Sequence, residues 1–380
     1  MLIISNLYCY VQIFLHLCCI QSIIMKKITT YRKPMQESLF EEEFTLEALS
    51  AMGNPLEQVS ALVDFEIFRP TLEKTLLTEE CKSAAGRKPI DVVLMFKVIF
   101  LQRYYGLGDH QIEFQIIDRT SFRKFLGIHT VREVPDEKTV WLCKDRLTKA
   151  GVFESLFDDF RKVLDSKGLS FNEGKIIDAT FVEAPKQHNS REENATIKKG
   201  EGDTLWNDNP HKKSHKDIDA RWTKKRGEKH YGYKGHVKVD KKSKLVESLQ
   251  TTDASVHDSN VIEQLITEDD KGQRLYLDAG YVGKEDVVKR CGMRPVICEK
   301  GYRNHPLTKK QKRRNCKRSK RRCRIEHVFG FIEGAMHGSL VRSIGIVRAS
   351  ANFALTCLTY NIFRYVQINK YQPQLLSCKE

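Results

Sequence analysis

Three acidic side chains, far apart in the chain, stand where an acid has a chemical use. Asp178 lies inside an otherwise apolar run, IIDATFV, where a charge is costly unless it is paired or bound to a cation. Asp278 closes the apolar run LYLD just before AGYVG, the kind of strand end that delivers ligands to a cleft. Glu326 follows Arg322 by four residues, so a helix sets both on one face. Carboxylates on rigid elements suit hard cations such as magnesium, which prefer oxygen ligands. Two such ions about 4 Å apart stabilise charge on both the entering and the departing oxygen of a phosphodiester. Cutting a phosphodiester is the chemistry these acids would serve. Each also has a plain structural reading: an outward-facing strand residue, a turn former, and a surface ion pair worth about 0.3–0.5 kcal/mol.

The surroundings are basic. Lys309, Lys310, Lys312, Arg313, Arg314, Lys317, Arg318, Lys320, Arg321, Arg322 and Arg324 follow one another without an acid and lead into Glu326. Over the whole chain 64 Lys and Arg face 49 Asp and Glu, a surplus of +15 that points to an anionic partner, nucleic acid first. Trp222, in the polar string DARWTKKRGEK, is placed either to stack on an unpaired base, at about 1–3 kcal/mol, or to pack against the domain edge. Tyr231, Tyr233 and Lys234 either line a nucleic-acid path or build a strand. Asp258 reads as a helix cap and His257 as a core or phosphate contact, neither catalytic.

Positioning these groups needs a scaffold of two or three units, given 380 residues with 41% hydrophobic and 30% charged side chains. From about residue 44 to 167 the pattern is helical. PIDVVLMFKVIFLQRYYG, DHQIEFQII, SFRKFLGI and VPDEKTVWLCKDRLTKAG read as successive helices split by tight turns. That signature fits a helix-turn-helix DNA reader using Arg119, Arg123 and Lys124, and fits an ordinary helical bundle equally well. Near Gly174 the period changes: KIIDATFVE reads as a strand, 184–227 as a long polar surface loop, and HYGYKGHVKVD with KLVESLQT as a hairpin. VHDSNVIEQLI reads as a helix, RLYLDAG as a strand, KEDVVKRC as a helix, and two further helices close the chain, an alternation that signals an α/β layer. The eleven cysteines form no CxxC pair and suit a reducing compartment; the spacing of Cys291, Cys298, Cys316 and Cys323 is too wide for a usual zinc site. Residues 1–24 fit neither a signal peptide nor a membrane span and read as a start-site artefact or an apolar extension, with Met25 as the natural start.

The strings IIDATFVEAP, DARWTKKRGEKHYGYKGHV, TTDASVHDSNV, LYLDAGYVG and NCKRSKRRCRIEHVFG resemble those of the Asp/Asp/Glu transposases of bacterial insertion sequences, specifically the insertion sequence 5 group. The string GRKPIDVVLMFKVIFLQRYYGLGDHQIEFQIIDRTSFRKFLGI resembles that group's N-terminal domain, so the likeness covers roughly residues 40–365. It implies an α/β fold in which an RNase H-like catalytic domain, a mixed sheet flanked by helices over 174–370, follows an all-α DNA-binding domain over 40–167. It implies that Asp178, Asp278 and Glu326 are catalytic and bind two Mg2+ ions, with Mn2+ as a substitute. Activated water would hydrolyse one strand at the element's end, and the freed 3′ hydroxyl would attack target DNA without an energy cofactor. Ser319 and Arg322 fall where the group's helix motif has a small polar residue and an arginine. With Arg318, Lys320, Arg321, Arg324, Lys234 and Trp222 they are the expected DNA contacts. The partners implied are terminal inverted repeats, target DNA and a second copy of the chain on that DNA, in a cytoplasmic, nucleoid-associated protein with no membrane and no small-molecule substrate. One departure stands out: seven residues after Glu326, where related enzymes often carry Lys or Arg, this chain has Glu333. A decayed transposase that only binds DNA, or a nuclease that never joins strands, remains the alternative.

Overall fold

A computed structural model describes residues 38–77, 88–225 and 227–376; the apolar opening 1–24 lies outside them. The chain divides into two units, Met1–Glu47 and Ala48–Glu380. Of the first, the described part holds the beginning of helix α1 (Glu41–Ala51), where Glu41, Glu42 and Glu43 meet the positive end of the helix.

In the second unit a run of helices comes first: α2 (Pro55–Leu62), α3 (Arg69–Leu76), α4 (Val92–Tyr104), α5 (Asp109–Asp118), α6 (Thr120–Leu126), α7 (Glu137–Lys149) and α8 (Val152–Ser166). Asp91 starts α4 by accepting from the amides of Val93 and Leu94, and the helix then buries Phe96, Ile99 and Phe100. Gly127, at φ 71°, ends α6 in a left-handed turn that other residues rarely adopt. Asp136 caps α7 through the Thr139 amide at 2.9 Å. The cations suspected of reading DNA are tied to this helical fold. Arg119 lies over the rings of Tyr105 and Phe122, Arg123 donates to the Ile117 carbonyl, and Lys124 pairs with Glu57. Their contacts are those of a packed bundle.

The second half runs β1 (Lys175–Glu183), α9 (Arg191–Lys198), α10 (Pro210–Ser214), β2 (Arg221–Lys225), β3 (Glu228–Asp240), β4 (Val246–Asp253), α11 (Ile262–Leu265), β5 (Arg274–Leu277), α12 (Glu285–Arg290), β6 (Arg294–Ile297), α13 (Lys309–Arg322), α14 (Arg324–Gly334) and α15 (Ile346–Tyr371). The six strands form one sheet in the order β2-β3-β1-β5-β6, with β4 also paired to β3. β1, β3 and β4 are antiparallel neighbours, whereas β5 runs parallel to β1 and β6 parallel to β5. This mixed sheet, with helices on both faces, is RNase H-like. Side chains alternate along β1, so Ile176 joins the large core while Ile177 joins a smaller one with Leu275, Leu277, Leu265 and Val288.

Several elements differ from the sequence reading. The stretch 184–227 holds α9, α10 and β2 rather than a plain loop; Ser190 and Glu193 form a capping box and Pro210 opens α10, local signals outweighed by the polar composition. VHDSNVIEQLI makes only a 3-10 turn and the four-residue α11, and His257 rather than Asp258 caps it, accepting from the Ser259 amide. β6 was not anticipated, because RPVI is too short to show a period. None of the helices among the described residues is long and apolar enough to cross a membrane.

α15 packs on α4 and α8 as well as on β4, so residues before and after position 170 share one core. Its fully buried Asn361 accepts from the Val246 amide at 2.9 Å and donates to the Val246 carbonyl at 2.8 Å, acting as a rung of backbone for β4. Replacing it by leucine strands two buried backbone groups at about 1–3 kcal/mol each. We expect Asn361→Leu to lose about 2–5 kcal/mol in urea unfolding; a loss under about 1 kcal/mol would contradict this account.

Candidate active site

β1 and α14 carry two of the acids, and the C-terminal end of β5 delivers the third. Asp178 shares a strand face with Ile176 and points to the side covered by α14 and α15. Its Oδ1 accepts from the Ala179 amide at 2.9 Å, and its Oδ2 accepts from Arg322 Nη1 at 2.6 Å. The second guanidinium nitrogen, Nη2, donates to Glu326 Oε1 at 2.7 Å, so a single arginine joins the strand acid to the helix acid. Asp278 caps the turn after β5 through the Gly280 amide at 2.8 Å and lies within electrostatic reach of both Asp178 and Arg322. A side chain at Gly280 would begin 3.0 Å from Asp278 Oδ1, so glycine keeps this turn tight against the acid.

Burial is the main force on the electrostatics. It pushes the Asp178 carboxyl up to about 6, with Asp278 adding to the rise, while the Ala179 amide and Arg322 pull the other way. For Arg322, burial alone would lower the pKa; Asp178, Glu326 and Asp278 outweigh it and raise it above the ordinary value. Tyr281, three residues after Asp278, is buried beside the acids, and its hydroxyl has no hydrogen-bond partner among the described residues. Burial, followed by Asp178, Asp258 and Asp278, holds that phenol well above its usual range. Lys225 also acts on Asp178, and it stands over the Phe181 ring. Neither Tyr281 nor Lys225 stands out in the sequence as a site residue; the available signal is a tyrosine set in the turn right after a strand-ending aspartate.

The expected DNA contacts separate into anchored and free groups. Arg318 donates to the Ile297 carbonyl, Arg321 to the Tyr276 hydroxyl and Arg324 to the Lys241 carbonyl, which fix α13 and α14 on the sheet. Ser319 is exposed, 3.9 Å from Cys298 Sγ. Lys309, Lys310, Lys312, Arg313, Lys317 and Lys320 are exposed and make no ion pair with another described residue. Lys234 is largely buried, donating to the Val256 carbonyl with Asp258 at 2.9 Å. Tyr233 donates to buried Asp217 and Tyr231 is likewise buried, so both build β3. Trp222 is 46% exposed on β2, against Tyr231. Glu333 accepts from Thr180 Oγ1 at 2.5 Å, which pins α14 to β1 two residues from Asp178.

Among protein families, the transposase DDE domain matches residues 169–362 and a second transposase domain matches residues 44–146. The chain belongs to the DDE transposases. No solved structure matches it. The matched segment of this transposase runs from just before β1 to within α15 and takes in Asp178, Asp278 and Glu326. Phosphoryl transfer aided by divalent metal is the chemistry of the family. Among the described residues, however, no group of three or more His, Cys, Asp or Glu side chains is gathered tightly enough to hold a metal ion. Arg322 occupies the position between Asp178 and Glu326 instead. The donor set still fits a hard cation: oxygen ligands throughout, a desolvated carboxylate and an orphaned buried hydroxyl beside it.

The raised pKa of Asp178 has a thermodynamic sign. A folded-state value of about 6 against about 3.9 unfolded means that ionising this acid opposes folding, so stability present below pH 4 is lost as pH rises through 6. In metal-free buffer the loss should approach about 3 kcal/mol. Asp178→Asn should remove that part of the pH dependence and be the more stable protein at pH 7; identical pH profiles of the two proteins in urea titrations would refute the assignment.

Proposed function

We propose that this transposase cuts and rejoins DNA strands at the ends of a bacterial insertion sequence of the insertion sequence 5 group, with Asp178, Asp278 and Glu326 as the catalytic acids. The observation that carries the reading is Arg322, whose one guanidinium contacts two of these acids and feels the third. Bound divalent ions, magnesium or manganese, would supply Lewis acidity to the entering and leaving oxygens of the scissile phosphate. The three acids would hold them. Arg322 would exchange a carboxylate for a DNA phosphate, a partner its planar fork suits equally well. Tyr281 would donate its unpartnered hydroxyl to the ligand at the acids. The free cations of α13 would track the strand, and Trp222 is exposed for stacking on an unpaired base. A helical part over 40–167 would serve DNA binding and residues 174–370 catalysis, in a dimer that holds both terminal repeats and the target in the cytoplasm at the nucleoid.

Incubating the purified chain with a labelled element end, supercoiled target and magnesium should give joined products. Asp178→Ala, Asp278→Ala and Glu326→Ala should each lower cleavage by on the order of 10²–10³ or more while DNA binding survives. Hydrolysis without joining would make the chain a nuclease, and binding without cleavage a decayed transposase. Tyr281→Phe separates fold from site. Losing an orphaned hydroxyl should leave thermal stability unchanged or raised, while manganese affinity, read by electron paramagnetic resonance, falls about tenfold or more. Unchanged manganese affinity would remove Tyr281 from the site.

A further inference from the structure

A cavity of about 900 Å³ opens between the end of α4, the start of α5, α7, the segment 337–344 and the start of α15. Four permanent cations line it, Arg103, Lys144, Arg342 and Arg348, against two carboxylates, Asp109 and Asp145. Both carboxylates are engaged: Lys144 pairs with Asp109, and Arg348 with Asp145 at 3.1 Å. Arg103 and Arg342 have no carboxylate among the described residues. Arg342 is exposed, whereas Arg103 turns inward, donating to the Met336 carbonyl and the Asn352 amide oxygen, with its Nε buried and without an acceptor among the described residues. Burial holds that guanidinium down to about 10, the state of a cation short of a counter-charge. Trp141, on α7, also lines the cavity and leaves 45% of its surface open.

The backbone here is held under strain. His337 sits at φ 49°, and a side chain at Gly106 would start 2.8 Å from the His337 ring, so only glycine lets these two segments approach. The segment is also joined to the active-site strand. The Glu183 backbone amide donates to the Ser339 carbonyl at 2.7 Å, and the Glu183 carbonyl accepts from the Val341 amide at 2.9 Å. Glu183 lies five residues beyond Asp178 on β1, about 17 Å at roughly 3.3 Å per residue. That is about five base steps of duplex at roughly 3.4 Å each.

We propose that this cavity is a subsite for one unpaired nucleotide of the DNA strand that continues past the acids, its phosphate on Arg103 and Arg342 and its base against Trp141. The inference rests on the DNA-processing reading, since a free nucleotide would present the same chemistry. A positively charged pocket with one open aromatic face matches a phosphate joined to a base, and the aromatic contact tolerates any base.

The test uses the full chain in EDTA, so that strand chemistry is off. A labelled oligothymidylate of about twelve nucleotides and its duplex with oligoadenylate are the probes. Trp141→Ala and Arg342→Gln should each weaken single-strand binding at least about fivefold and change duplex binding less than about twofold. Thymidine monophosphate should compete better than inorganic phosphate. Equal losses for single strand and duplex, no loss for either, or equal competition by bare phosphate would each overturn the proposal. A chain that fails to cleave with magnesium yet loses oligothymidylate through Trp141 and Arg342 would keep the subsite and lose the cleavage reading; the reverse pattern would do the opposite.

Discussion

Acids repel one another, and burying one of them beside a second is unfavourable unless a cation stands between. Arg322 is that cation here, shared by Asp178 and Glu326 and felt by Asp278. Much of the surrounding architecture serves to hold the arginine in place. Helix α13 is fastened to the strand side by Asn315, which exchanges hydrogen bonds with the Glu299 backbone at 2.9 Å in both directions, and by Arg318 and Arg321. The run of basic residues therefore has two populations: members that anchor the helix, and members left to solvent as a continuous positive edge.

On α14, the Glu333 carboxylate accepts from Thr180. The bond joins the element bearing Glu326 to the strand bearing Asp178. On the opposite face of the sheet, Lys175, Lys238, Asp240, Glu247 and Asp270 form a buried network in which each cation meets a carboxylate. Charge on that face is internally compensated. On the first, the acids Asp178 and Glu326 share the single cation Arg322.

Long periodic stretches were legible in the sequence. α4, α7, β1 and β3 lie where their apolar spacing and capping residues put them, because each element's pattern is set by its own burial. Short or polar elements were not: β2 and β6 depend on neighbouring strands for their hydrogen bonds, the capping signals of α9 and α10 sit in a polar stretch without apolar spacing, and the Trp206 indole donates to Glu193, a contact no local pattern announces. The acids could be singled out because a charge inside an apolar run is conspicuous. Their bridging by one guanidinium joins residues 178 and 326, and only the folded chain brings such distant positions together. Lys234 reads like a phosphate contact in sequence but turns into the fold, since a basic residue on a strand carries no mark of which face it occupies.

Helix α15 has a wider consequence. Its buried face is divided among α4, α8 and β4, so the helices ahead of the first strand and the sheet behind it are completed by one shared element near the end of the chain. Neither half is a cassette. A chimaera that exchanged the leading helices for those of a relative would have to carry across the matching side of α15 as well, which ties the evolutionary drift of the two halves to each other.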